Sequence, residues 1–384
     1  MMEIRSVLML SQTFYPAIGG AEKQALELSR ALVSRGVKVT VVTRRIEGAP
    51  AEEIMDGVKV LRLAVAGSGV PDSLLFMVKS FFYLLRNAAK YDVVHVHLAS
   101  SAAVAAVLAG RITGGKTVIT MGGGIGADEI TLSMKTRLGR LKLKFFQWAG
   151  PELLLLNSDV YDWLKSDPAF SRLKLRRFKN GVDTGRYSPL SYQEKIRAKA
   201  ALDLDNSTIF LFVGRLAPEK RIKEFVEVWA EFLAEGPAGP KMRLVIVGKG
   251  PERESIEGAV RDLGVGGTVT LAGAKDDLRP YYGAADVFVL PSITEGLSNS
   301  MLEAMSSGAA IMAGNVGGAK EAVEEGLNGF LFDPESSQAI KACLKKFMSD
   351  RTMPLKMGER SREIAVKKYS MARVLDELME VYKG

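Results

Sequence analysis

Glu295 and Glu303 stand eight positions apart, separated by Gly296, Leu297, Ser298, Asn299, Ser300, Met301 and Leu302. The run around them, Ala285 to Met305, reads as a buried strand at Val287–Leu290, a Gly-containing loop, and a helix over Ser298–Ser306. Amides of Leu297, Ser298 and Asn299 would then sit at a helix N-terminus, where aligned peptide dipoles favour an anion. Glu295 lies in the loop just before that terminus. Glu303 lies about one and a half turns into the helix, placed to accept two hydrogen bonds from a ribose diol. Each glutamate alone is as well explained by capping or by an ordinary helix face. Together beside an anion site they ask for a functional reading.

A second candidate opens at Val213-Gly214-Arg215-Leu216-Ala217-Pro218-Glu219-Lys220-Arg221. Here a strand ends at Gly214, and Arg215 and Lys220 flank a short turn. A guanidinium and an ammonium at that spacing suit a diphosphate, the first by bidentate bonding and the second as a point charge. Near the start of the chain, Phe14 to Glu22 places Gly19 and Gly20 at a strand-to-helix turn, where backbone amides can approach a ligand closely. It is not the G-x-G-x-x-G dinucleotide pattern. Asp92-Val93-Val94-His95-Val96-His97 puts both histidines of the chain on one face of a strand. A buried structural role is expected for His95, and His97, nearer the strand tip, is the candidate for lining a cleft.

These residues need strands to carry them, and the apolar runs supply two sets. Val7–Leu10, Val37–Thr43, Val58–Leu63, Val93–Val96, Thr117–Met121 and Leu153–Leu156 read as strands, with helices over 22–34, 73–89, 100–109 and 131–148. After Asn180-Gly181-Val182-Asp183 and a polar stretch, a second alternation begins. Its strands are Ile209–Val213, Leu244–Val247, Val269–Leu271, Val287–Leu290, Ala310–Ala313 and Gly329–Leu331. Its helices run over 222–234, 253–263, 278–283, 298–306, 319–325 and 336–348. Continuous apolar strands joined by helices predict parallel sheets covered on both faces. The expected fold is α/β, with two Rossmann-like lobes facing across a cleft. The expected division is 1–185, joined by a closing terminal helix within 370–384, and 186–369.

Composition narrows the classes further. The 384 residues, 47% hydrophobic and 25% charged, are those of a soluble globular chain long enough for two cores. A single cysteine, Cys343, rules out an internal disulfide and fits a reducing compartment; with only two histidines, a three-histidine metal site is impossible. The longest small-residue apolar run, Leu98–Gly110, has 13 residues, short of the ~18 that a membrane span requires. With no signal-peptide pattern at the start, a cytoplasmic location is expected.

The net charge is +8, and residues 111–190 hold 14 basic against 7 acidic residues. Within that stretch Arg137 to Phe146 alternates basic and apolar residues. This face, helped by Arg172 to Lys179, is a candidate for resting on anionic membrane, against the plainer reading of a core-packed helix with a solvated basic side. Nucleic acid is not expected as a partner, because aromatics are not interleaved with the basic cluster.

The Glu295–Glu303 block closely resembles the E-x7-E motif of retaining GT-B glycosyltransferases, specifically glycosyltransferase family 4 (glycosyl transferases group 1). The resemblance extends over Phe14–Glu22, Asp92–His97, Asn180–Asp183, Gly214-Arg215 with Lys220, Val247–Pro251, and Gly317-Gly318 with Glu321. It implies that the second lobe holds a nucleotide-sugar donor, a UDP- or GDP-sugar, and the first lobe a glycan or lipid-linked acceptor. Arg215 and Lys220 would neutralise the donor diphosphate without a metal or other cofactor, and Glu303 would bind the ribose. Glu295 with Gly296, Leu297, Ser298 and Asn299 would sit by the donor sugar and phosphates, next to Gly214. Gly19 and Gly20 would approach the diphosphate from the first lobe.

One departure stands out. Where such enzymes often carry T-x-H-G, this chain has Thr120-Met121-Gly122-Gly123-Gly124, so Gly122 replaces a histidine that lies near the donor sugar. His97, Gly122 and Asn180 are the candidates for the acceptor side or the lining of the cleft. The alternatives are a nucleotide-sugar epimerase or hydrolase on the same scaffold, or a sugar-nucleotide- or membrane-binding protein without turnover. A dehydrogenase is disfavoured, since Gly248-Lys249-Gly250 lacks the third glycine.

Overall fold

The computed structural model describes residues 3–16, 19–65, 69–124, 128–204, 207–236 and 241–384. Packing divides the chain into two units, 1–181 with 371–384, and 182–370.

The first unit runs β1 (Ser6–Ser11), α1 (Gly20–Ser34), β2 (Lys38–Arg44), β3 (Glu52–Met55), β4 (Val58–Leu63), α2 (Val70–Asn87), β5 (Val93–His97), α3 (Ser101–Thr113) and β6 (Lys116–Met121). It continues through α4 (Glu129–Met134), α5 (Arg137–Ala149), β7 (Glu152–Leu155), α6 (Ser158–Ser166) and β8 (Lys174–Arg177). Its eight strands lie in the order β3-β4-β2-β1-β5-β6-β7-β8. All pairs are parallel except β3 with β4. The central strands are buried, β1 from Val7 onward and β5 throughout, as a sheet covered on both faces requires.

Strands β3 and β8 and helix α6 were not expected. The β3–β4 hairpin turns at Asp56-Gly57, both with positive φ (49° and 81°), the backbone that a tight two-residue hairpin demands. The helix expected over 131–148 is two helices. Thr136 caps α5, its hydroxyl accepting from the Gly139 amide at 3.0 Å. A Cβ on Gly139 would run into the Ser133 backbone, so glycine lets α5 fold back against the end of α4.

The second unit runs α7 (Tyr192–Ala201), β9 (Thr208–Val213), α8 (Ile222–Ala234), β10 (Met242–Val247), α9 (Arg253–Asp262), β11 (Val269–Gly273) and α10 (Arg279–Ala284). It continues through β12 (Val287–Leu290), α11 (Asn299–Ser306), β13 (Ala310–Gly314), α12 (Ala319–Ala322), β14 (Gly329–Phe332), α13 (Ser337–Ser349) and α14 (Met353–Tyr369). Its six strands, in the order β11-β10-β9-β12-β13-β14, are all parallel. Helix α8 shows how pattern becomes packing: Phe225, Val226, Trp229 and Phe232 are buried at helical spacing, and Trp229 meets Phe210 of β9 edge-on, ring centroids 5.3 Å apart.

The terminal helix α15 (Met371–Lys383) returns to the first unit. Its apolar stripe of Val374, Leu375, Leu378, Val381 and Tyr382 is buried there. Tyr382 Oη lies 2.6 Å from His95 Nδ1, and Arg35 donates to the Ala372 carbonyl at 2.9 Å. Among the described residues no helix is long and apolar enough to cross a membrane.

Candidate functional site

In the second sheet, β10 and β11 lie on one side of β9, and β12, β13 and β14 on the other. The order therefore reverses between β9 and β12, and loops leaving the carboxyl ends of such strands frame the ligand crevice of open α/β sheets. Those two loops carry Arg215 and Lys220, and Glu295.

The first loop is locked from below. Gly214 N donates to the Val247 carbonyl and Leu216 N to the Lys249 carbonyl, each at 3.0 Å. A Cβ on Gly248, at φ 152°, would run into the Gly214 carbonyl, so only glycine lets the β9 and β10 loops stack. The 3-10 turn Pro218–Lys220 then presents Lys220, and Arg221 at φ 53° redirects the chain into α8. The second loop is tied to the first by a backbone bond from Ile293 N to the Glu219 carbonyl at 3.0 Å.

Across that tie Lys220 Nζ and Glu295 Oε2 form an ion pair, both side chains half-buried. The guanidinium of Arg215 is 68% exposed and bonds Glu219 Oε1 at 3.1 Å. Sequence reasoning did not single out Glu219. Its neighbours turn it from a bystander into a counter-charge that holds Arg215 at the rim.

Helix α11 starts one residue later than expected. Ser298 is its N-cap, with Oγ accepting from the Met301 amide at 3.4 Å, so the first-turn amides begin with Asn299 and Ser300. Leu297 lies ahead of the helix with its side chain in the core, and the Gly296 carbonyl is taken by Gly318 N at 3.1 Å. Glu303 is buried in α11 beside the Tyr282 phenol, which burial, and then the Glu303 carboxylate, push well above its ordinary pKa. The strand–loop–helix block therefore brings Glu295, Ser298, Asn299 and Glu303 to one strand end, with Lys220 reaching in from its neighbour.

The candidates in the first unit are placed differently. Its strand order reverses between β1 and β5, and Gly19 follows the former. Gly19 caps α1 and Gly20 opens it. A Cβ on Gly19 would run into Glu22, whose carboxylate also takes the Thr13 hydroxyl, so an acidic side chain of the protein itself lies over this helix terminus.

His97 is a correction to the expected lining role: it is 3% exposed, stacked on His95 with ring centroids 4.5 Å apart. Burial pushes its pKa down to about 4. His95 is buried between Tyr382 and Thr120 Oγ1, the latter at 2.7 Å, and burial holds it neutral as well. Asn180 is buried next to Gly181, where a Cβ would crowd Met371 of the terminal helix. Gly122 is half-buried, and its amide donates to Glu129 Oε1 at 3.3 Å. Glu129 was missed by sequence reasoning, although it directly follows the glycine-rich loop; burial pushes its pKa up to about 7.

Comparison with known proteins shows the family. The first unit matches the Glycosyltransferase Family 4 model over residues 18–186, and the second matches Glycosyl transferases group 1 over residues 193–364. The UDP-Gal:alpha-D-GlcNAc-diphosphoundecaprenol alpha-1,3-galactosyltransferase of Escherichia coli is 24% identical, covering 96% of this chain and 94% of its own length. The D-inositol 3-phosphate glycosyltransferase of Acidothermus cellulolyticus is 30% identical, over 82% of this chain and 75% of its own. The structure of Anabaena HepE in complex with UDP-glucose superposes with a TM-score of 0.78 at 18% identity, over 98% of this chain and 99% of that one. With both units matched in order and on the same two-sheet architecture, the chain belongs to the family 4 and group 1 glycosyltransferases, a hexosyltransferase of the GT-B fold.

Proposed function

We propose that the protein transfers a hexosyl unit, with retention at the anomeric carbon, from a UDP- or GDP-sugar to a hydroxyl of a glycan or lipid-linked acceptor. The observation that carries this is the Lys220–Glu295 pair at the switch point of the second sheet, with Arg215 at its rim and the first turn of α11 alongside. Such a site offers two cations and helix amides to a diphosphate, and a carboxylate to the sugar beyond it. In this reading Lys220 and Arg215 stabilise the charge that builds on the departing phosphate. That phosphate then takes the proton of the incoming hydroxyl, while Glu303 holds the ribose. The first unit receives the acceptor. The relatives' printed activities, galactosyl transfer from UDP-Gal to GlcNAc-diphosphoundecaprenol among them, agree with this substrate class.

A thermal-shift screen of UDP, GDP, ADP and their sugar conjugates tests the reading. Stabilisation by the uridine or guanosine series, lost in Glu303→Ala, is the expected result. A chain indifferent to every nucleotide would overturn it.

A membrane surface as second partner is favoured by one observation. On α5 the residues turned outward are apolar as well as basic: Leu138 is 81% exposed, Leu141 and Trp148 are exposed too, and Arg137, Arg140 and Lys144 stand among them. Leu108 and Ile112 on α3, and Leu74, Val78 and Phe82 on α2, are exposed on helices of the same face of the sheet. Apolar side chains with interspersed cations and no acid on α5 suit an anionic lipid surface. The 172–179 segment contributes less, because Arg176 pairs with Glu152 and Arg177 with Asp162.

A further inference from the structure

Glu129 opens α4 just beyond β6, with Asp128 as the cap before it. One carboxylate oxygen, Oε1, accepts from the Gly122 amide at 3.3 Å. The other, Oε2, is buried and has no hydrogen-bond partner among the described residues. A buried acceptor left unsatisfied costs ~1–3 kcal/mol, so holding Gly122 in place does not by itself account for a carboxylate here.

The surrounding charges do not complete it either. Asp128 spends its own carboxylate on the Ile130 and Thr131 amides and the Thr131 hydroxyl, at 3.0, 2.9 and 2.6 Å. Lys142 of α5 is near enough to act on Glu129 by charge, but its ammonium donates to the Ala99 carbonyl at 2.8 Å. Burial, with the Asp128 charge on its side, outweighs the amide bonds and the Lys142 charge and pushes the carboxyl pKa up to about 7.

The neighbouring positions leave room. Among the described residues a Cβ at Gly122 would meet only Leu98 Cδ2, at an ordinary contact of 3.6 Å, so crowding by them does not demand glycine there. Leu98 sits at φ 68°, a left-handed backbone that a branched apolar residue adopts at a cost of ~1–2 kcal/mol. It follows His97, whose Nε2 is a second buried polar atom with no hydrogen-bond partner among the described residues. Strands β5 and β6 are adjacent, with His97 opposite Thr120. His97 thus ends β5, and Glu129 opens the helix that follows its neighbour β6, beyond the strand edge where open sheets bind ligands.

We infer that Glu129 is a hydroxyl-binding residue of a sugar subsite in the first unit, its open Oε2 engaging a ring hydroxyl of the donor hexose or of the acceptor's terminal sugar. This deepens the proposed function and rests on it. A carboxyl repels a diphosphate, so the ligand at this point is neutral and rich in hydroxyls. Ionised, the group accepts a hydroxyl proton; protonated, it donates one to a hydroxyl oxygen, and near neutral pH both forms are available.

The full-length protein, E129Q and E129A are titrated calorimetrically with UDP, GDP, UDP-glucose, UDP-galactose, UDP-N-acetylglucosamine and GDP-mannose. Saturation-transfer NMR with the methyl α-glycosides of the same hexoses reads sugar contact without a nucleotide. E129Q retains an oxygen for the Gly122 amide, so a purely structural role leaves both readouts unchanged in that variant. The expected result is unaltered affinity for UDP and GDP, with a roughly tenfold loss in one sugar arm. Loss confined to the sugar nucleotides assigns the donor hexose; loss of the glycoside signal assigns the acceptor sugar. Sugar-nucleotide and glycoside binding within twofold of wild type in both variants overturns the inference. So does a wild-type chain that gives no glycoside signal and binds sugar nucleotides no differently from the bare diphosphates. If neither UDP nor GDP binds the wild type, the donor reading fails, and the glycoside arm still decides the role of Glu129.

Discussion

Lys220 and Glu295, 75 positions apart in the chain, meet as an ion pair at the reversal point of the second sheet. Both side chains are half-buried, so replacing either removes a charge from a partly desolvated pair. K220A and E295A are each expected to lower kcat at least 100-fold, the scale of removing one stabilising donor or charge from a transition state. Each single variant should also lose about 1–3 kcal/mol of stability. The double variant K220A/E295A should recover part of that stability and none of the activity. Nucleotide release under saturating donor, together with denaturant midpoints, reads both quantities; wild-type turnover in either single variant would remove these residues from the site.

Glu303 is expected to act on the nucleotide and not on the sugar. A ribose held by a buried carboxylate is worth about 1.5–3 kcal/mol, so E303A should weaken UDP or GDP binding by roughly 10- to 100-fold. The same variant relieves the Tyr282 phenol of a neighbouring negative charge, and its ultraviolet titration should move down. Affinity unchanged while the phenol shifts would leave Glu303 a purely structural residue.

The Glu129 carboxyl gives stability a pH signature of its own. Its pKa rises from an ordinary 4.5 to about 7 on folding. The unfolded chain therefore ionises first as pH rises, and the fold loses stability between those two values, on the order of 3 kcal/mol in total. E129Q should melt higher than wild type at pH 8 and equally at pH 4. A variant no more stable at pH 8 would show that the carboxyl is solvated in the folded protein.

At the seam between α15 and the first sheet, Tyr382 satisfies one nitrogen of the buried His95 and Thr120 the other. Y382F leaves that nitrogen without a partner and should cost about 1–3 kcal/mol. Urea unfolding measures it, and an unchanged midpoint would mean that the ring turns to another partner.

Flotation with vesicles of phosphatidylglycerol and phosphatidylcholine tests the face of α5. Binding should fall with salt, be absent on pure phosphatidylcholine, and be lost in L138D/L141D, with a blue shift of Trp148 emission as the direct mark of insertion. Salt-independent binding, or none, removes the membrane from the partners.

Strand pattern and motif were readable where burial is continuous. Every strand with an unbroken apolar run was legible, and so was the block that brings Glu295 and Glu303 to one strand end. The edge strands of the first sheet were not: β3 is alternately exposed, β8 reads Lys-Leu-Arg-Arg, and neither has an apolar run to announce it. The Asp56-Gly57 turn did announce the β3–β4 hairpin and was passed over. Helix α7 buries no residue fully, and it is tied down by Lys195 and Lys199 on Asp286. That triangle spans the chain and has no local signature.

Glu129 was illegible for a related reason. A carboxylate two positions before a helical run looks like a cap, and that role belongs to Asp128. Only the third dimension shows that one oxygen of Glu129 is occupied and the other left over. His97 failed in the opposite sense, since proximity in sequence to a strand's carboxyl end says nothing about which way a side chain turns.

The first unit is assembled from two separated stretches of the chain, with the whole of the second between them. A ribosome delivers residues in order at roughly 5–20 per second, so the first sheet emerges long before the helix that covers Val7, Met9, Val39 and Val41 on its α1 face. During that interval the second unit has everything it needs to close on itself, and the first does not. Completion of the first unit therefore waits on the second, and a chain stopped just after residue 370 would carry a finished second unit attached to an uncovered, aggregation-prone sheet.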